Sequence, residues 1–184
     1  MKNYTITIDT GTTNTRVFLF NEKNEVAASA KSEIGVRITA IDGNNNRLKT
    51  AIRCCLEEVL KQAGITYDEV KKVVASGMIT SNVGLVEIPH VIAPASAEDL
   101  AEAAKSVLIE DVCPLPILFI PGVKNRDGKL DLATFESMDM MRGEEVETVA
   151  VVESLPKGQA YLLVLPGSHT KFVSVDCARK ITGC

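Results

Sequence analysis

Apolar and polar residues alternate at the start of the chain. Tyr4, Ile6 and Ile8 fall on one face of Tyr4-Thr5-Ile6-Thr7-Ile8-Asp9, with polar residues on the other. That period of two predicts a half-buried strand. Gly11-Thr12-Thr13-Asn14 is turn chemistry, and Arg16-Val17-Phe18-Leu19-Phe20 reads as a second strand. Asn21-Glu22-Lys23-Asn24 turns the chain into a third strand, Glu25 to Lys31. Connections this short predict an antiparallel meander. The period then changes. After Asn44-Asn45-Asn46, apolar residues recur at Leu48, Ala51, Ile52, Cys55, Leu56, Val59, Leu60 and Ala63. Threes and fours predict an amphipathic helix, closed at Gly64. Lys71 to Ser76 reads as a buried strand, and Ser96 caps a second helix running to about Leu108. Pro116 to Ile120 reads as another buried strand, and Asp139 to about Ser154 suits a third helix.

The order is βββ-α-β-α-β-α. A meander continuing into right-handed crossovers predicts an α/β fold of the ribonuclease H-like type: a five-stranded mixed sheet with helices on its faces. Pro156-Lys157-Gly158 reads as a linker. Beyond it, Tyr161 to Leu165, a turn at 166–169 and Phe172 to Val175 predict a second hairpin, with a third strand due near Ile181. The expected division is a first domain over 1–155 and, over 156–184, the opening hairpin of a second, truncated domain. Both hairpins read strand, Gly/Thr/Ser-rich turn, strand, as a duplicated fold would.

Length agrees: 184 residues make one domain and a remainder. The 20 Lys+Arg and 24 Asp+Glu give a net charge of −4, which argues against nucleic acid as partner. No Trp and few aromatics argue against base-stacking platforms. No apolar run is long enough to cross a membrane, and Met1-Lys2-Asn3-Tyr4 opens no signal peptide. Five Cys without a CxxC pair read as reduced thiols of a cytoplasmic protein.

The strongest chemical motif is Asp9-Thr10-Gly11-Thr12-Thr13-Asn14-Thr15-Arg16. Gly11 lets the backbone approach a ligand, and successive turn N–H groups can point at one anion. Thr12, Thr13 and Asn14 add donors, Arg16 a cationic fork, and Asp9 a site for Mg²⁺ held through water. An ordinary hairpin turn is the alternative. Gly167, Ser168, His169 and Lys171 sit in the mirrored turn of the second hairpin, as a second phosphate clamp or a bland turn. Asp139, placed at a helix N-terminus, can accept a proton from an alcohol, with Arg142 one turn on to pair a substrate carboxylate. Charge balance at the helix terminus explains the same residues. Gly77, Met78 and Ser81 follow a buried strand at its carboxyl end, where sugar contacts or a plain loop fit equally. His90 is given no catalytic role.

DTGTTNTR is similar to the first phosphate motif of the sugar-kinase, Hsp70 and actin superfamily. ASGMITSNVGLVEIPHVIAPAS, ILFIPGV, MDMMRGEE and LPGSHTKFVSV, in that order, resemble the 2-dehydro-3-deoxygalactonokinase family. The resemblance implies transfer of the ATP γ-phosphate to the 6-hydroxyl of 2-dehydro-3-deoxy-D-galactonate, a step of galactonate catabolism. It implies that Asp9 orders Mg²⁺ and that Gly11, Thr12, Thr13, Asn14 and Arg16 hold phosphates. Gly167, Ser168, His169 and Lys171 match the second phosphate turn. Asp139 matches the base, while Arg142 and the Gly77-Met78 loop face the sugar acid. The family shows Trp where Thr10, Leu85 and Phe172 stand here, a Thr at Ser168 and a Ser at Thr170. ATP and the sugar acid are the expected small-molecule partners. The adenosine site of this superfamily lies in the second domain, so the isolated chain is expected to be inactive, with exposed sheet faces that favour a homodimer. Two readings stand beside this one: a glycerol-kinase-type sugar or polyol kinase, and a non-catalytic actin-like or regulatory module.

Overall fold

The alternating segment forms strand β1 (Tyr4–Thr10), followed by β2 (Thr15–Phe20) and β3 (Val26–Ser32). The computed structural model describes residues 3–126, 134, 137–167 and 169–184. They fall into two units, Met1–Ile88 with Lys105–Ile120, and Pro89–Ala104 with Pro121–Cys184.

In the first unit the three strands make the expected antiparallel meander. A short helix α1 (Arg37–Asp42) leads to α2 (Asn46–Ala63), which ends where Gly64 turns left-handed at φ 66°. The predicted face of α2 is the buried one: Leu48, Ile52, Cys55, Leu56, Val59 and Leu60 join Ile6, Ile8, Val17 and Leu19 in one core. Strand β4 (Val70–Gly77) lies parallel to β1, with Asp9 opposite Ser76 and Thr10 opposite Gly77.

The sheet has six strands rather than five. Ser96 does cap a helix, α3, through a reciprocal capping box with Asp99, but that helix stops at Ala103. Lys105–Ile109 is strand β6, antiparallel to β7 (Cys113–Phe119). The expected helix to Leu108 fails because three residues, 110–112, suffice to turn Val107 and Ile109 back onto β7, where pairing outweighs helix periodicity. The order is β3-β2-β1-β4-β7-β6: the expected mixed sheet with one antiparallel edge strand added. Pro114 and Pro116 are tolerated because β4 pairs only with Ile117–Phe119 of β7.

The second unit holds two small sheets. One runs β5 (Val91–Ile92), β8 (Val123–Lys124) and β9 (Met140–Met141); the other runs β10 (Tyr161–Leu165), β11 (Lys171–Val175) and β12 (Ile181–Gly183). The third strand due near Ile181 is therefore present. Val123, Met141, Val173, Val175 and Ile181 share a core with Leu100 of α3 and Val152 of α4 (Glu144–Glu153). The third helix was expected from Asp139. Instead 139–141 is extended, because Met140 and Met141 pair with β8 and Gly143, at φ 111°, breaks the chain direction before α4. The acidic first turn that signalled the helix is real, but it is Glu144, Glu145 and Glu147. All five cysteines are free, and Cys55 packs on the buried face of α2 while Cys54 is exposed.

Leu56 is fully buried at the middle of α2. We expect Leu56→Ala to cost about 2–5 kcal/mol by urea denaturation, and the exposed Cys54→Ala to stay within about 0.5 kcal/mol.

Candidate active site

The β1–β2 turn is held from its inner side. Gly11 N–H donates to Asn14 O at 2.9 Å, while Val36 N–H and Arg37 N–H donate to the carbonyls of Gly11 and Thr12 at 3.1 and 3.0 Å. Beneath the turn, Thr10 and Thr15 are fully buried, their hydroxyls 3.3 Å apart, and Thr15 Oγ1 donates to Ile34 O at 2.8 Å. Two glycines make this close approach possible. A Cβ on Gly35 would lie 2.4 Å from Gly11 O, and one on Gly77 would lie 2.8 Å from Thr10 O. Gly77 also has φ 86°, a backbone state side chains rarely adopt. Gly11 itself is different: its Cβ would meet nothing closer than 3.9 Å. The fold does not require glycine there, and the space above the turn stays open.

Thr12, Thr13 and Arg16 are exposed on that open side, with Asn14 half-buried. Arg16 Nη1 pairs with Asp9 Oδ2 at 3.1 Å, and Asn14 Nδ2 donates to Thr13 Oγ1 at 2.8 Å. Asp9 is thus a single half-exposed carboxylate at a strand end, beside a turn of donors. That suits Mg²⁺, which keeps most of its waters and takes one or two carboxylates plus phosphate oxygens. Among the described residues no cluster of three or more His, Cys, Asp or Glu could enclose a metal. Ser81, also expected at a sugar, is buried, and its hydroxyl donates to Met78 O at 2.7 Å, closing the turn after Gly77.

In the second unit, Asp139 stands just before β9. Its Oδ1 accepts from Met140 N–H at 2.7 Å and from Lys171 Nζ at 2.5 Å. Partial burial raises its pKa, but these two bonds and the Lys171 charge outweigh it, so the carboxyl sits below its ordinary value. Asn125, which the sequence reading passed over, ties this point to the second sheet. Its N–H donates to Asp139 O at 2.9 Å, and its amide brackets the Cys184 backbone at 2.8 and 2.9 Å. Burial first, then the Asp139 charge, push the Cys184 thiol up to about 11, so it is no nucleophile at neutral pH.

The expected pairing of Asp139 and Arg142 on one helix face does not form. Arg142 lies in the turn after β9, at the opposite end of the strand from Asp139, because those residues pair with β8 instead of coiling. Lys171 and Asp139, expected in separate roles, are in direct contact. His169 and Gly167 stand in the exposed β10–β11 turn; Ser168 lies outside the described residues. Glu145 carries the largest surprise. It is fully buried, and both its oxygens accept from Gly143 N–H at 2.9 and 2.8 Å. Burial pushes its carboxyl up to about 8, against the Gly143 and Glu145 N–H groups and the Arg142 charge, with Glu144 adding to the rise.

A family model described as 2-keto-3-deoxy-galactonokinase matches residues 9–183. The chain is 30% identical over 172 residues to the 2-dehydro-3-deoxygalactonokinase of Escherichia coli (strain K12), covering 93% of this chain and 49% of the relative. It superposes on a crystal structure from Sinorhizobium meliloti assigned as a 2-dehydro-3-deoxygalactonokinase, with a TM-score of 0.73 and 25% identity, over 97% of this chain and 52% of that one. A reductive activator for a corrinoid, iron–sulfur protein shares the fold alone, at a TM-score of 0.56 and 17% identity, over 95% of this chain and 29% of that one. The fold is accordingly of the actin-like ATPase type. The chain spans about half the length of the curated relatives it matches.

Two predictions follow from the geometry. Gly35→Ala and Gly77→Ala should each lower stability by more than about 2 kcal/mol, whereas Gly11→Ala should stay within about 1 kcal/mol, by chemical denaturation. Glu145 sets a pH slope. Its folded pKa lies above its unfolded one, so the folded state holds an extra proton between about 4.5 and about 8, and stability falls as pH rises through that window. Glu145→Gln should flatten the fall, seen as a smaller loss of stability between pH 5 and pH 8.

Proposed function

The chain belongs to the 2-keto-3-deoxy-galactonokinase family, and from that premise we propose that the whole protein transfers the γ-phosphate of ATP to the 6-hydroxyl of 2-dehydro-3-deoxy-D-galactonate. The observation that carries this reading is the 2.5 Å contact of Asp139 with Lys171, which joins the two family-specific motifs MDMMRGEE and PGSHTK. Lys171 keeps Asp139 ionised, and an ionised carboxylate beside a cation can take the proton of an attacking alcohol. A depressed pKa is acceptable here. In a loose phosphoryl-transfer transition state there is little bonding to the nucleophile, so the proton leaves late and orientation matters more than basicity.

The β1–β2 turn serves as the phosphate cradle, with Gly11 open to close approach and Thr12, Thr13, Asn14 and Arg16 as donors. Gly167 and His169 in the corresponding turn of the second hairpin, with Lys171 at the start of β11, serve as the second phosphate clamp. Mg²⁺ bound at Asp9 would neutralise charge on the phosphates. The guanidinium of Arg142 pairs with the carboxylate of the sugar acid, and Gly77 with Met78 borders the sugar. The order β10-β11-β12 repeats that of the first meander, which supports reading 156–184 as the start of a second like domain after a first domain over 1–155. No helix among the described residues is long and apolar enough to cross a membrane, and a catabolic kinase that draws on ATP is placed in the cytoplasm.

In the full-length protein, Asp139→Asn should lower kcat by about 10²–10⁴ in an ADP-release assay with a modest change in the KM for ATP. A variant with normal turnover would remove the base assignment. A wild-type enzyme idle on every 2-keto-3-deoxy sugar acid in a panel would remove the substrate.

A further inference from the structure

The sheet β5-β8-β9 gathers three residues at one end. Strands β5 and β8 run parallel and β9 runs against them. The residue before β5, the residue before β8 and the residue after β9 therefore share an end: His90, Gly122 and Arg142. Val91 N–H donates to Gly122 O at 2.9 Å, fixing the first two backbones. Arg142 Nη2 lies 3.3 Å from His90 Nδ1. A guanidinium only donates, so Nδ1 accepts and the ring proton is on Nε2.

Two features make this contact specific. Gly122 has no side chain where one would intrude on both partners: its Cβ would be 2.8 Å from His90 Cδ2 and 2.7 Å from Arg142 Cγ. His90 Nε2 is buried and finds no partner among the described residues, so the ring keeps an unpaired donor in order to present Nδ1 to the arginine. Burial, then the charges of Arg142 and Lys124, lower the His90 pKa to about 4, so the ring is a neutral acceptor at neutral pH. A long side chain such as arginine has many rotamers to lose on binding an anion, and a fixed acceptor removes part of that loss beforehand.

We propose that His90 is a positioning residue that holds the Arg142 guanidinium ready for the carboxylate of the sugar acid, so that it sets substrate affinity without touching the reacting atoms. This rests on the reading of Arg142 given above as the carboxylate partner.

The test uses the full-length protein and steady-state kinetics with 2-dehydro-3-deoxy-D-galactonate. His90→Leu should raise the KM for the sugar acid about tenfold to a hundredfold, with kcat within about threefold and the KM for ATP unchanged. His90→Gln, which keeps polarity but offers no acceptor where Nδ1 stands, should behave likewise and guards against loss of fold. His90→Asn, whose Oδ1 replaces Nδ1, should recover most of the affinity. In an Arg142→Ala background, His90→Leu should add nothing. If Arg142→Ala raises the KM while His90→Leu and His90→Gln leave it unchanged, or if the two effects add, the positioning role is overturned. If Arg142→Ala leaves the KM unchanged, the carboxylate reading of Arg142 falls, and this inference falls with it.

Discussion

The end of β1 is built around two places where no side chain fits. Gly35 and Gly77 let the chain pass within van der Waals contact of the carbonyls of Gly11, Thr12 and Thr10. Val36 and Arg37 N–H groups then take up two of those carbonyls, and the buried hydroxyls of Thr10 and Thr15 tie the strand ends to Ile34. Buried backbone groups must be paired, and these bonds are how the site satisfies that demand. The consequence is directional. These backbone bonds lie on the inner side of the turn, so the outer side keeps Thr12, Thr13 and Arg16 exposed above a held backbone. Preorganised donors of that kind need little rearrangement to meet a charged ligand.

Much of this could be read from residue patterns, and the exceptions share a cause. The meander, the buried face of α2 and the Ser96 cap rest on local signals, namely a turn, a period and a capping residue, and each formed as expected. The errors came where a local helix signal met a strand partner outside the segment itself. Lys105–Ile109 has apolar spacing compatible with a helix, but its hairpin partner lies a few residues ahead. Residues 139–141 precede an acidic helix start, yet β8, far earlier in the chain, claims them as a strand. Residues such as Gly35, Gly122 and Asn125 are unremarkable in a string of letters. Their importance arises only when another segment is brought within contact distance.

The same competition explains why two acids six residues apart in sequence titrate in opposite directions. Asp139 is largely exposed, and the desolvation it does undergo would raise its pKa, but Lys171 supplies both a bond and a charge. Glu145 is fully buried, and its partners are chiefly backbone N–H groups, which are too weak to balance desolvation. One segment thus holds one acid kept ionised and another kept neutral. Proton acceptance from an alcohol needs the former, and a charge placed at Glu145 would cost stability in the core beneath it. The burial of Glu145 therefore limits how far the start of α4 can be altered. Any change that hydrates the start of α4 removes the desolvation that keeps Glu145 neutral. The two carboxyls are set separately, Asp139 by the Lys171 bond and charge and Glu145 by its own burial.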